Sequence, residues 1–178
     1  MLGKIFTQAK VMTLMLFCAL HSCKPDTVGF SNMPEIRLES VELIKASDGK
    51  DSIIEIAIYY QDGDGDIGLS DTDTASPFDF GSPFYHNLPV TYLVPNGIGE
   101  YEELINPNNN KPYGNQHERV PVLTPTSKYK AISGIMRINL TANPALAKPQ
   151  KIKLELKMID RSLNISNTVT TLPIELEH

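Results

Sequence analysis

The sequence predicts an all-β protein, an antiparallel β-sandwich of about seven strands. In several segments apolar residues alternate with polar ones at every second position, which is the period of a half-buried strand. Thirteen prolines and eleven glycines interrupt these segments at fairly regular spacing. No segment carries an apolar stripe at helical spacing. Together these observations favour a sandwich over a helical or mixed fold.

The chain begins with the layout of a bacterial secretory signal. Lys4 and Lys10 precede an apolar run over residues 11–20, which is too short to span a membrane with normal flanks. Cys23 follows, and it makes the segment resemble a lipoprotein signal. That resemblance implies removal of residues 1–22 and acylation of Cys23. We therefore expect an outer-membrane lipoprotein, on either the periplasmic or the cell-surface face.

The remaining chain is read as a lipidated tether, residues 23–34, followed by a β-sandwich domain, residues 35–178. Without residues 1–22 it carries 14 Lys and Arg against 21 Asp and Glu, a net charge of −7. This acidic balance argues against nucleic acid and against polybasic docking on a membrane, so the expected membrane contact is the lipid. Acylation of the single remaining cysteine would leave no thiol for disulfides, metal or catalysis.

The strand period is clearest in four segments, 54–60, 132–140, 152–158 and 172–176. Apolar residues on both faces of the first segment indicate a central strand, and Pro173 indicates that the last is an edge strand. Weaker strands are expected at 35–44, 88–94 and 118–123. The alternation in the first of these slips near Ser40, which predicts a bulge.

Acidic residues are concentrated in the loop 62–73, within the first of two long connections, 61–87 and 106–117. Five aspartates fall in these twelve residues, with no Lys or Arg among them. Left alone the carboxylates repel one another, and a hard divalent cation such as calcium removes that conflict. The alternating glycines let the backbone turn so that successive aspartates converge. The candidate calcium ligands are Asp62, Asp64, Asp66, Gly68, Asp71 and Asp73.

This spacing is partly that of a helix-loop-helix calcium loop, with Asp62 in the first place and Asp73 in the twelfth. Ile67 sits where that motif needs glycine, and no helices flank the loop. We therefore expect a strand-to-strand loop with similar ligand spacing, and a solvated Asp/Gly turn without an ion is the alternative. The glycines of residues 63–68 also match the dinucleotide-binding pattern. We reject that match because the aspartates between them would repel a pyrophosphate.

Several segments resemble small envelope lipoproteins of the Bacteroidetes. They are the acidic-loop segment 60–68, the pair 123–125 and 131–134, and the C-terminal stretch 159–171. The resemblance implies an immunoglobulin-like form of the sandwich and supports the lipoprotein address, but most such proteins lack an assigned activity. Thr27, between Asp and Val in the tether, resembles an O-glycosylation site of the same bacteria.

Two further groups of residues each have two interpretations. We expect Asp160 and Asn164 to close a hairpin by capping its backbone, and the alternative is a role as distant calcium ligands. An aromatic loop, residues 77–86, holds four candidate ligand contacts: Phe78, Phe80, Phe84 and Tyr85. Its rings can contact a partner or a sugar face, but we expect the phenylalanines to fold back over the open end of the sandwich.

No histidine has zinc spacing, and no Gly-x-Ser-x-Gly elbow is present. We therefore expect no catalytic residues and a non-enzymatic binding or structural accessory module with calcium as a structural cofactor. One alternative is a surface module that captures a glycan or an envelope protein with the loops 77–86 and 106–117. The other is a hydrolase whose site assembles in space.

Overall fold

The computed structural model of the protein describes residues 29–113, 117–123, 130–142 and 148–178. Cys23, Thr27 and the signal segment lie outside the described residues. In the described ranges the regular structure is all β, with ten strands and no helix. The strands are β1 (Glu35–Lys45), β2 (Asp51–Asp62), β3 (Val90–Pro95), β4 (Tyr101–Glu103), β5 (Ile105–Asn106), β6 (Lys111–Pro112), β7 (Ile132–Thr141), β8 (Lys151–Leu156), β9 (Val169–Thr170) and β10 (Ile174–Glu175).

These strands form two main antiparallel sheets and one small hairpin. The first sheet has the strand order β1-β2-β7. The second has the order β10-β8-β3-β4, and β9 also pairs with β8. The hairpin joins β5 to β6. The predicted all-β antiparallel fold is confirmed, and two sheets that share one core are consistent with a sandwich.

The features predicted for individual strands are confirmed at three places. β2 is central in the first sheet, with Ile54, Ile56 and Ile58 fully buried. The register between β1 and β2 shifts between Leu38 and Ser40, where the sequence predicts a bulge. β10 follows Pro173 and lies at the edge of the second sheet.

The prediction of a strand at 118–123 is wrong. In that segment Glu118 forms an isolated bridge with Leu88, and the residues after it bond to the acidic loop instead of to a sheet. The sequence also gave no indication of β4, β5, β6 and β9. Each of these strands has two or three residues, which is too short for an alternating pattern to be recognisable.

Both main sheets contribute to a single hydrophobic core. β2 supplies isoleucines, while β3 and β8 supply Tyr92, Leu154 and Leu156 from the opposite sheet. Complete burial of one such side chain stabilises the fold by about 1.5–3 kcal/mol. Ile67 of the acidic loop belongs to the same core and is 0% exposed. The loop is thereby attached to the most stable part of the molecule.

Candidate metal centre

The acidic loop leaves β2 at Asp62 and is held in place by its apolar residues. Ile67 and Leu69 are buried, and their backbones bond to the 120–123 segment. The Leu69 N–H donates to the Val120 carbonyl at 2.9 Å, and the Leu123 N–H donates to the Ile67 carbonyl at 3.0 Å. The side chain that replaces the expected motif glycine is therefore a core residue, and its burial fixes the loop without flanking helices.

Gly68 lies between these two bonds and makes the close approach possible. Its φ is +107°, a conformation that favours glycine, and a Cβ there would collide with the backbone of Pro121 and Val122. The absence of a side chain at Gly68 therefore allows the acidic loop to pack against the 120–123 segment.

The carboxylates of Asp62, Asp64 and Asp66 converge on one point. One oxygen from each lies within 4.8 Å of the others, so the three could hold a metal ion. Gly65, with φ of +68°, turns the backbone between them. The Asp66 N–H donates to Asp62 Oδ2 at 3.0 Å and closes the turn. The alternating Asp-Gly spacing produces this convergence locally, as the sequence predicts.

Each of these aspartates has one oxygen that is buried and has no hydrogen-bond partner. These are the Oδ1 atoms of Asp62, Asp64 and Asp66. Asp62 as a whole is 0% exposed. Among the described residues, no lysine or arginine forms a salt bridge with any of the three. Buried carboxylate oxygens are ordinarily paired or bound to a metal, so this cluster lacks the partner that a cation would supply.

The pKa of Asp62 also reflects the burial of carboxylates without a cation. Burial and the charges of Asp64 and Asp66 together raise the pKa of Asp62 to about 6, although hydrogen bonds from the backbone of Asp66 and Gly65 act to lower it. Desolvation and like charge both disfavour the ionised carboxylate, and a bound cation would offset both.

The turn after β8 closes over the loop and contributes residues that the sequence did not indicate. The Arg161 N–H donates to the Asp66 carbonyl at 3.2 Å. The Ser162 hydroxyl donates to Asp66 Oδ2 at 2.7 Å. These bonds orient Asp66 with its other oxygen towards the cluster. A serine in a hairpin turn has no special signal in the sequence, since such residues are common in turns.

Asp160 and Asn164 cap that turn, as expected. Asp160 Oδ1 accepts from the Asn164 N–H, and Oδ2 accepts from Asn164 Nδ2, both at 2.8 Å. Burial raises the pKa of Asp160, and the nearby charges of Asp66 and Asp64 add to that rise. Asp160 is therefore a close neighbour of the cluster whose two oxygens are already engaged by its cap.

Asp71 and Asp73, two further predicted ligands, are not part of the three-aspartate cluster. Asp73 instead forms a paired salt bridge with Arg161, at 2.5 Å and 2.9 Å. It also accepts from the Ser70 N–H at 2.7 Å. The Arg161 guanidinium and these bonds hold the pKa of Asp73 well below its usual range. Asp71 is exposed. Of the five candidate aspartates, three converge, and the ion pair explains why Asp73, in the twelfth position of the calcium motif, is not among them.

The aromatic loop consists of turns closed by backbone hydrogen bonds, and Phe80 does not fold back over the sandwich as expected. Phe80 is 87% exposed, whereas Phe78 and Phe84 are half-buried. The Phe80 ring packs edge-on against the Tyr85 ring, with 5.2 Å between the ring centroids. Arg119 lies on the Tyr85 ring at 4.9 Å and donates to the backbone carbonyls of Tyr85, Ser70 and Asp73. The loop thus presents Phe80 to solvent beside the Tyr85 ring, which Arg119 contacts.

The ring of His86, the last residue of this loop, lies beside the ring of His117, with ring centroids 5.7 Å apart. His117 Nδ1 accepts from the Val90 N–H at 2.8 Å, a role that requires a neutral ring with its proton on Nε2. Burial lowers the pKa of both histidines. His117 is thus engaged in holding the start of β3.

Comparison with family models, with curated proteins and with solved structures finds no match for this chain. No helix in the described residues has the length and apolar character needed to cross a membrane. The fold and the three-aspartate cluster therefore define the protein as an all-β domain with a site that could hold a metal ion.

Proposed function

We propose that the protein is a non-enzymatic lipoprotein module of the cell envelope whose aspartate cluster binds calcium and thereby stabilises the native fold. One observation carries the proposal. Asp62, Asp64 and Asp66 bring one carboxylate oxygen each to within 4.8 Å of the others, and the Oδ1 atom of each is buried with no hydrogen-bond partner in the described structure. The cluster is the arrangement expected of a site that is complete only with a cation.

Calcium suits this set of ligands better than the other common cations. The donors are carboxylate oxygens, which favour hard ions over zinc or copper. The ligands come from a short Asp-Gly loop and leave room for carbonyls and waters, which suits the six to eight oxygens that calcium takes. Magnesium demands a stricter octahedron and loses its waters reluctantly. A site outside the cytoplasm would also meet calcium at concentrations that fill a modest binding loop.

The decisive experiment is a thermal melt of the purified protein in calcium and in chelator. A ligand that binds only the native state stabilises it by about 2.7 kcal/mol at a hundredfold excess over Kd. For a chain of this size we expect Tm to rise by roughly 5–10 °C. The same melts of Asp71→Asn provide the matched control, because this change removes one charge from the same loop at an exposed position. Equal melting temperatures in calcium and chelator would contradict the calcium proposal.

The membrane anchor is the second part of the proposal and rests on the sequence. Acylation of Cys23 would place the domain at the outer membrane, on either face. The tether would then connect the lipid anchor to the domain. Mass spectrometry of the mature N terminus would detect the acyl chains, and would detect a glycan on Thr27. Recovery of an unmodified Cys23→Ser variant from the soluble fraction is the expected outcome, and retention of that variant in membranes would contradict it.

A second candidate function, capture of a glycan or an envelope protein, is favoured by the exposure of Phe80. An apolar ring that is 87% exposed, on a loop whose turns are closed by backbone hydrogen bonds, resembles the anchor residues of binding surfaces. Phe80→Ala should abolish capture and leave the melting temperature unchanged. If Phe80→Ala captured its partner as well as the native protein does, the aromatic loop would not be part of the binding surface.

A further inference from the structure

The last residues of the tether lie across the metal centre before the chain enters β1. The Ser31 carbonyl accepts from the Gly63 N–H at 2.8 Å. The Asn32 carbonyl accepts from Asn164 Nδ2 at 3.3 Å. One segment of three residues, 30–32, is thus bonded to both halves of the site, the acidic loop and the turn that caps it.

Gly63 is the point of closest approach. A Cβ on this residue would collide with the carbonyl groups of Phe30 and Ser31. Gly63 does not have a positive φ, so an alanine would suit its backbone, and the tether is what excludes the side chain. The absence of a side chain at residue 63 therefore serves the docking of the tether, whereas Gly65 serves the turn of the loop itself.

Both contacts depend on the geometry of the cluster. Gly63 stands between Asp62 and Asp64, so its N–H belongs to the same stretch of backbone that brings these two carboxylates together. Asn164 is held by Asp160, whose neighbours are Asp64 and Asp66. Repulsion among the carboxylates opposes their convergence in the absence of a cation, and any opening of the loop turns the Gly63 N–H away from Ser31.

We propose that cation binding at the aspartate cluster clamps residues 30–32 onto the domain, so that the ion sets how closely the domain is held to its anchor. This inference rests on the proposed calcium function. Release of the three residues would lengthen the free tether by up to about 10 Å, at 3.3–3.6 Å per extended residue. The coupling is reciprocal, so the docked tether also tightens the binding of calcium.

The direct measurement is hydrogen exchange of single backbone amides, with the tether intact. We expect the Gly63 amide, which bonds to the tether, to exchange at least about tenfold more slowly in calcium than in chelator. The Leu69 amide, which bonds to Val120 and not to the tether, is the internal control and should change less. Chymotrypsin cleavage after Phe30 should likewise slow in calcium, while cleavage after the exposed Phe80 should not.

Gly63→Ala separates the clamp from the ligands, because it removes no carboxylate. Calcium should still raise the Tm of this variant, but its affinity for calcium should fall by about tenfold, and cleavage after Phe30 should become fast in both conditions. Unchanged affinity or retained protection of Phe30 would overturn the clamp.

The two proposals fail in different ways. A calcium-dependent Tm without any change at the Gly63 amide or at Phe30 would overturn the clamp and leave the calcium site standing. A Tm that does not respond to calcium would overturn both.

Discussion

Strand β2 begins at one buried aspartate and ends at another, and the two carboxylates have opposite surroundings. Asp51 Oδ2 accepts from the Glu177 N–H at 2.7 Å, and Lys45 Nζ lies 3.6 Å from Oδ1. Asp62 Oδ2 also accepts a backbone N–H, from Asp66. The Oδ1 atoms of both aspartates lack a hydrogen-bond partner. The difference is that no described lysine or arginine forms a salt bridge with Asp62, whose charged neighbours are Asp64 and Asp66. One carboxylate has a cation from the protein, and the other has only further carboxylates.

The surroundings of Asp51 and Asp62 distinguish a buried carboxylate with a structural role from one that belongs to a binding site. A buried charge without a partner is strongly unfavourable, so a fold that keeps one must gain something from it. At Asp51 the gain is a hydrogen bond that joins the start of β2 to Glu177, two residues beyond β10. At Asp62 nothing in the described protein provides it, and a bound cation would.

The largest effect is expected from Asp62→Asn, measured by denaturant unfolding. In calcium this variant should lose about 3 kcal/mol, because the ligand set is broken. In chelator it should match or exceed the native protein in stability, because the amide keeps an acceptor for the Asp66 N–H and removes a repelled charge. A loss of the same size in both conditions would mean that Asp62 is structural, like Asp51.

Asp51→Asn tests the other end of β2. The change weakens the pairing with Lys45 and the bond from Glu177, and should cost about 1–3 kcal/mol in calcium and in chelator alike. Denaturant unfolding under the two conditions measures it. A cost that depends on calcium would contradict the contrast between the two aspartates.

Ser162→Ala sharpens the contrast by acting on a residue that orients a ligand. Loss of the 2.7 Å bond to Asp66 should weaken calcium binding by about tenfold, as removal of such supporting partners does at other metal sites. Calcium titration by calorimetry gives the affinity, and Ser162→Thr, which retains a hydroxyl, should bind more tightly than the alanine variant. Equal affinity of all three proteins would show that Asp66 needs no support from the turn.

The smallest effect is expected from the ion pair of Asp73 and Arg161. The pKa of Asp73 is lowered in the folded protein. The ion pair therefore stabilises the fold at pH values above the ordinary aspartate pKa of about 3.9, and this stabilisation is lost progressively as the pH falls below that value. Arg161→Gln should therefore lower Tm slightly at neutral pH and make less difference at pH 3. A difference from the native protein that grows in acid would contradict this sign.

The contrast between local and distant contacts also explains which predictions were right. The convergence of Asp62, Asp64 and Asp66 follows from neighbouring residues in one turn, so spacing alone predicts it. The position of Asp73 depends on Arg161, a residue 88 positions away, and no local pattern contains that information. The exposure of Phe80 was missed for the same reason, since burial of a loop residue depends on what the fold places beside it.

By itself the sequence determined the strands with a clear period of two, the bulge near Ser40, the central place of β2 and the chemistry of the acidic turn. Each of these depends on alternation, on turn residues or on charge within a few positions. Tertiary structure alone decided that Ile67 is a core residue, that Gly68 approaches Pro121, and that Phe30 and Ser31 lie against Gly63. These contacts join segments far apart in the chain, and their free energy comes from packing and desolvation that exist only once the chain has folded.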